Sequence, residues 1–261
     1  MTLKPVAVSA ALTLLAVYAG LILSLFYFFE LRQFFSALSE PRLYSAIRLS
    51  LISATLATLL ATLIAVPAAY ALSRYRFPGA TLVDTLLELP VIVSPAALGA
   101  MLLIFFTSPL GQWVQEQAVR FVFTFYGVIL AQFVATVGIA TRFFKNAFDA
   151  VPRRFENVAR SMGAGQFRVF RTITFPLAIR GLLAGVALSW AKALGEFGAT
   201  ITLAGTMAMR TETLPVAIYM QLSNAHIEET VTLILVLISI GLSTLALVRW
   251  LTTRNDYADR L

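Results

Sequence analysis

The chain has 261 residues, 59% of them hydrophobic and 13% charged. A water-soluble domain carries about 45–50% apolar and about 25% charged residues, so this composition has too little polar surface for a soluble globule. Cysteine is absent and His226 is the single histidine, which excludes disulfides, thiol chemistry and multi-histidine metal or haem sites. The 20 basic and 13 acidic residues give a net charge of +7, whose meaning in a membrane chain depends on which connecting segments hold it.

A membrane-crossing helix needs about 20 mostly apolar residues, whereas the strands of a membrane barrel are about ten residues long and alternate. Six runs meet the helical requirement: 6–29, 46–72, 82–106, 121–140, 181–204 and 230–250. The expected fold is an all-α integral membrane protein with one transmembrane domain over 1–261. The first run follows Lys4 and exceeds the roughly 7–15 apolar residues of a signal peptide, so it reads as an anchor.

Basic residues set the orientation. With the N-terminus inside, the inner segments hold Lys4, Arg74, Arg76, then Arg142, Lys145, Arg153, Arg154, Arg160, Arg168, Arg171 and Arg180, and finally Arg249, Arg254 and Arg260. The outer segments hold only Arg32, Arg42, Arg48, Arg120 and Arg210. This asymmetry places both termini in the cytoplasm. It accounts for the positive charge by topology, without nucleic acid.

In the second span Thr55, Thr58 and Thr62, and in the fourth Gln132 and Thr136, fall at helical spacing and are expected to hydrogen-bond between helices. The third span carries Glu88, Pro90, Ser94 and Pro95. Proline removes a backbone donor, and a break at membrane depth must face protein or a water-filled path. These positions are candidates for a gate, with a plain packing kink as the alternative. Ser108-Pro-Leu-Gly111 reads as a turn in an outer loop.

The longest polar stretch is an inner loop over about 142–180. It contains Pro152-Arg-Arg-Phe-Glu-Asn-Val-Ala-Arg-Ser-Met-Gly163. Proline suits a first helical turn, and Gly163 and Gly165 suit a helix end. Phe155, Val158, Ala159 and Met162 share one face. The segment therefore reads as a short amphipathic helix, either lying on the bilayer or docking into a partner.

The fifth span places Ser189, Lys192, Glu196 and Thr200 at steps of three, four and four, on one face of a continuous helix. Charges within a membrane pair or serve a path. Lys192 and Glu196 either form a neutralising pair or line a route on which Lys192 lowers the barrier for an anion. Gly181 and Gly185 allow close backbone approach to a neighbour. His226 is expected on an exposed outer loop.

Asn157-Val-Ala159, three residues, Gly163, nine residues, Ile173, one residue, Phe175-Pro176 resembles the EAA loop of ABC importer permeases, with Glu156 adjacent to the first position. Arg76-Phe-Pro-Gly79 with Leu89-Pro-Val-Ile-Val-Ser-Pro95, and Leu194-Gly-Glu-Phe-Gly-Ala-Thr200 with Thr211-Glu-Thr-Leu-Pro215, are similar to the molybdate, tungstate and sulfate permeases. The resemblance spans about 74–219. It implies type I importer architecture, in which Phe155, Glu156, Asn157, Ala159, Gly163, Ile173 and Pro176 form a coupling helix and loop seated on an ATPase. It implies a homodimer of permease chains, two ATP-binding cassette subunits and an extracytoplasmic oxyanion-binding protein. No G-x-x-x-x-G-K-[ST] phosphate loop is present, so no cofactor is expected on this chain. ATP and Mg belong to the partner. A secondary transporter and a membrane-embedded enzyme are the rival classes. The first needs a complete substrate and ion site within the membrane, the second a nucleophile or metal set.

Overall fold

The computed structural model describes residues 3–38 and 40–258, and every regular element in them is helical. Arg260, counted above among the inner basic residues, lies outside the described residues. Helix α1 is Leu3–Leu25, followed by a 3₁₀ turn at Phe26–Phe28, α2 is Leu31–Leu38 and α3 is Pro41–Arg74. Then come α4 (Ala80–Leu86), α5 (Leu89–Ile92), α6 (Pro95–Thr107) and α7 (Pro109–Gln117). Helix α8 is Phe125–Asp149, α9 is Arg153–Ser161 and α10 is Gln166–Val169. A π-helical turn over Phe170–Thr174 leads into α11 (Phe175–Leu194), α12 (Gly198–Ala204), α13 (Leu214–Ser223) and α14 (Ile227–Ala258). Among the described residues, five helical segments are long and apolar enough to cross a membrane, and the pair Ala80–Ile92 and Pro95–Thr107 makes a sixth candidate.

The bundle is built on α3 and α8. Leu49 clusters with Val128 and Ala204 near the start of both helices, and Ala65 and Ala69 cluster with Ala140, Phe144 and Phe148 near their ends. The two helices therefore run in the same direction. Their contact uses small side chains: Ala65 and Ala69 on α3, both fully buried, pack against Ala140 of α8. Without a hydrophobic drive between helices in lipid, such seams gain their stability from close backbone packing. On α11, a Cβ on Gly181 would lie 2.7 Å from Ala147 Cβ, and one on Gly185 would lie 2.9 Å from the Phe144 ring, so both glycines serve the approach expected of them. None of the described side chains of α1 is buried.

Three expectations need correction, while the discontinuity signalled by the prolines of the third span is present: the span breaks at Leu87–Glu88 and Val93–Ser94, and its two halves meet at 113°. Pro90 and Pro95 each sit in the first turn of a new helix, where the missing N–H costs nothing. The fifth span is also broken. Its helical segment begins at Gln166, ends at Leu194, and restarts at Gly198. The fourth span continues to Asp149, so Arg142 and Lys145 belong to a helix and the connecting loop is shorter than expected. Ser108 begins a helix instead of a bare turn; its hydroxyl caps α7 by accepting from Gly111 N.

The hydroxyl and amide groups expected to bond between helices mostly do not. Thr58, Thr62, Gln132 and Thr136 make no hydrogen bond with their polar side-chain atoms. Alanines of α3 pack on α8, and of the residues expected to bond between helices Thr55 does so, its Oγ1 accepting from Trp190 Nε1 at 3.1 Å.

Candidate functional site

Two regions collect the residues singled out in the sequence. The first is α9. Pro152 precedes it in extended backbone, and Gly163, at φ +85°, ends it in the left-handed conformation that glycine adopts without strain. Amide N–H groups of Gly163 and Ala164 donate to Arg160 and Ala159 carbonyls, closing the last turn. The faces of the helix differ. Val158 is 61% and Met162 82% exposed, Phe155 is also exposed, and the Arg154 guanidinium lies 5.0 Å from the Phe155 ring centre. Ala159 is partly buried and Asn157 exposed.

Glu156 points the other way and is 2% exposed. Arg74 Nε donates to Glu156 Oε1 at 2.8 Å, and Thr174 Oγ1 donates to the same oxygen at 2.9 Å. Arg74 Nη2 also donates to the carbonyls of Phe148 at 2.8 Å and Val151 at 3.0 Å, and Nη1 donates to Ser73 Oγ at 3.0 Å. Arg153 Nη2 donates to the Ser73 carbonyl. Ile173 and Thr174 lie in the π-helical turn and Pro176 in the first turn of α11. Arg74 stands at the centre of this network, although in the sequence it counts only as an orienting charge. Its signal was a lone arginine closing a long apolar helix, with an acidic residue in the amphipathic segment.

The second region is where the two broken spans meet. Ser94 caps α6, its Oγ accepting from Ala97 N at 3.3 Å. Glu196 does the same for α12, its Oε1 accepting from Ala199 N at 3.1 Å. A Cβ on Gly99 would lie 2.8 Å from Ala199 Cα, and one on Gly198 2.7 Å from Ala96 N, so the first turns of α6 and α12 touch through backbone. The Lys192 Nζ donates to Glu196 Oε2 at 2.7 Å. The pair is therefore present although the helix is interrupted between its members. Glu196 is buried, while the Lys192 side chain is 39% exposed. Ser189 and Thr200 are fully buried, with hydroxyls that make no hydrogen bond. Because α12 is a new helix, Thr200 does not continue the face of Ser189 and Lys192.

Pro90 lines an apolar cavity of about 340 Å³ with Leu87, Leu98, Met101, Val134 and Val137. The α4–α5 segment is clasped to α8 by two ion pairs, Lys145–Asp84 at 3.1 Å and Arg142–Glu88. At the other end of the bundle Arg42 holds buried Glu212 through two hydrogen bonds, of 2.9 and 2.6 Å. His226 is exposed, with Nδ1 3.1 Å from Gln221 Oε1. Among the described residues no group of three or more His, Cys, Asp or Glu side chains is placed to hold a metal ion.

The sequence profile of the family described as binding-protein-dependent transport system inner membrane component matches residues 61–257. The molybdenum transport system permease protein ModB of Escherichia coli K12 is 34% identical over 221 residues, 82% of this chain and 95% of that one. The sulfate transport system permease protein CysT of the same strain is 30% identical over 192 residues, 73% of this chain and 69% of that one. A chain in the crystal structure of a bacterial ABC transporter that imports the acidic polysaccharide alginate superposes with a TM-score of 0.77. It covers 97% of this chain and 95% of its own length at 14% identity, a likeness of fold.

Proposed function

Given that the chain belongs to the family of binding-protein-dependent transport system inner membrane components, we propose that it is the permease subunit of an ATP-driven importer of molybdate or tungstate. Two copies form the pore, and an extracytoplasmic binding protein delivers the oxyanion. Two ATP-binding cassette subunits on the cytoplasmic side hydrolyse ATP with Mg and drive the pore between outward-open and inward-open states. The α9 end of the bundle and both termini face the cytoplasm, in keeping with the basic residues concentrated there.

The observation that carries this reading is α9. It presents Phe155, Val158 and Met162 outward while Glu156 ties its other face to the bundle. An apolar helix face held rigidly away from the core suits a groove in a partner protein. A helix floating on lipid needs no buried anchor. The meeting point of α6 and α12, with Ser94, Pro95, Lys192 and Glu196, is the candidate gate. Glu196 serves it as a helix cap and counter-ion, and Lys192 keeps donors free for an anion.

The test is reconstitution of this chain with an ATP-binding cassette subunit and an oxyanion-binding protein from the same organism. ATP-dependent uptake of labelled molybdate is expected, suppressed by excess tungstate. Uptake of sulfate instead, which the 30% identity to CysT favours as the second reading, would reassign the substrate. Failure to co-purify with an ATPase would reject the importer reading.

A further inference from the structure

We propose that Arg74 is the positioning residue that makes α9 one rigid body with the bundle, so that force on α9 reaches the spans. The inference rests on the importer reading for its consequence, but its structural half stands on this chain alone. An arginine guanidinium is a planar fork of five N–H donors, and a single one can join several acceptors in fixed geometry. Here the side chain is 4% exposed and each nitrogen is engaged. Nε takes Glu156 of α9. Nη2 takes the carbonyls of Phe148, in the last turn of α8, and Val151, in the link to α9. Nη1 takes Ser73 Oγ, which itself donates to Asp149 at the end of α8. Glu156 meanwhile accepts from Thr174, in the π-helical turn that feeds α11.

The ends of α3, α8 and α9 and the start of the fifth span therefore meet at one guanidinium and one carboxylate. The Phe148 carbonyl already accepts from the Val151 N–H at 3.0 Å, and the guanidinium adds a charged donor where the negative end of the α8 dipole favours a cation. Around this hub the Tyr70 and Phe170 rings pack edge to face at 4.8 Å, and Tyr70 and Phe148 at 5.5 Å, which keeps water from the ion pair. A bracket of this kind has one function that the exposed face of α9 cannot supply. Without it a partner could move α9 about its flanks, at Val151–Pro152 and Gly163–Gly165, and leave the spans where they were.

The experiment compares the wild type with Arg74→Met, Arg74→Lys and Glu156→Gln in two measurements. The first is amide hydrogen exchange of the full chain in nanodiscs, without the ATPase. Arg74→Met is expected to speed exchange across 153–162 by about tenfold or more, with α3 and α8 above their last turns unchanged. The second is molybdate uptake per ATP hydrolysed by the reconstituted complex. This ratio should fall by about tenfold in Arg74→Met while ATP turnover per assembled complex stays within about twofold, since a change confined to transmission leaves hydrolysis intact. Arg74→Lys, which keeps the charge but loses the fork, should recover part of the ratio.

A merely structural arginine would lower the yield of assembled complex and leave the ratio untouched. An unchanged ratio therefore overturns the inference, as does unchanged exchange in α9. If Arg74→Met does not insert, Glu156→Gln carries the same two expectations. Should the wild type itself show no ATP-dependent uptake, the importer reading fails, and the exchange result still decides the bracket.

Discussion

Gly198 lies so close to Pro95 that a Cβ built on it would sit 2.8 Å from the proline Cβ and 2.7 Å from the amide nitrogen of Ala96. Replacing a helical glycine with alanine ordinarily gains about 1 kcal/mol. Overpacking of a tight contact costs about 1–3 kcal/mol. Backbone atoms of α6 cannot give way as a flexible side chain would. Gly198→Ala is therefore expected to lower the thermal unfolding midpoint and slow molybdate uptake. Gly241→Ala, with no atom within 4 Å, should raise the midpoint slightly. Equal effects of the two changes would show that the α6–α12 contact is not tight in the membrane.

The Lys192–Glu196 pair is asymmetric. Glu196 is buried and also caps α12, so Glu196→Leu removes a hydrogen-bonded charge and leaves the Ala199 N–H without its acceptor, at a cost of about 1–3 kcal/mol. Lys192 is partly solvated, but its loss leaves the buried Glu196 carboxylate without a counter-ion, at a cost of about 3 kcal/mol. The expected order of folded yield in detergent chromatography is wild type, Glu196→Leu, then Lys192→Met. A transport rate that falls in Lys192→Met at normal yield would place the ammonium on the anion's route.

Phe155→Asp puts a charge on the exposed face of α9 without touching Glu156 or Arg74. Insertion and folding should be unchanged, because the side chain is outside the core. Binding of the ATPase should weaken by about tenfold or more, since a desolvated unpaired charge is costly at a packed interface. Pull-down with the ATPase measures it. Undiminished binding would move the docking surface elsewhere.

The chain contains no cysteine, so a single engineered thiol reports on one position without background. Ser94 caps α6 at the proposed gate and is exposed. Labelling of Ser94→Cys by an impermeant maleimide is expected to change several-fold between the resting complex and the complex trapped with ATP and vanadate. Control variant Ser94→Ala should show the cost of the lost cap, about 1 kcal/mol. Constant labelling in both states would make the third-span break a fixed kink.

Much of this molecule was legible in its residue order. Composition alone required a membrane, and the long apolar runs located α1, α3, α8 and α14, because length and apolarity are one-dimensional quantities. Pro90 and Pro95 signalled a discontinuity, since proline acts through local covalent geometry. The outward face of α9 followed from a 3.6-residue period, and the Lys192–Glu196 contact from a four-residue spacing that survives the break.

What the residue order could not reveal depends on distance through space. The break at Gly195–Phe197 is not marked by proline. It exists because Gly198 must meet Pro95 and because the Glu196 carboxylate offers α12 a new cap. Thr58, Thr62, Gln132 and Thr136 looked like interhelical donors and acceptors, yet alanine contacts set the helix spacing and left them unpaired. Glu156 and Asn157 are neighbours of similar polarity, and only the fold buries one and exposes the other. Arg74 reads in the sequence as one more inner positive charge. It becomes the junction of three helix ends and a fourth segment because α3 and α8 run parallel and finish at the same level, where helix-end carbonyls and a buried carboxylate surround a single guanidinium.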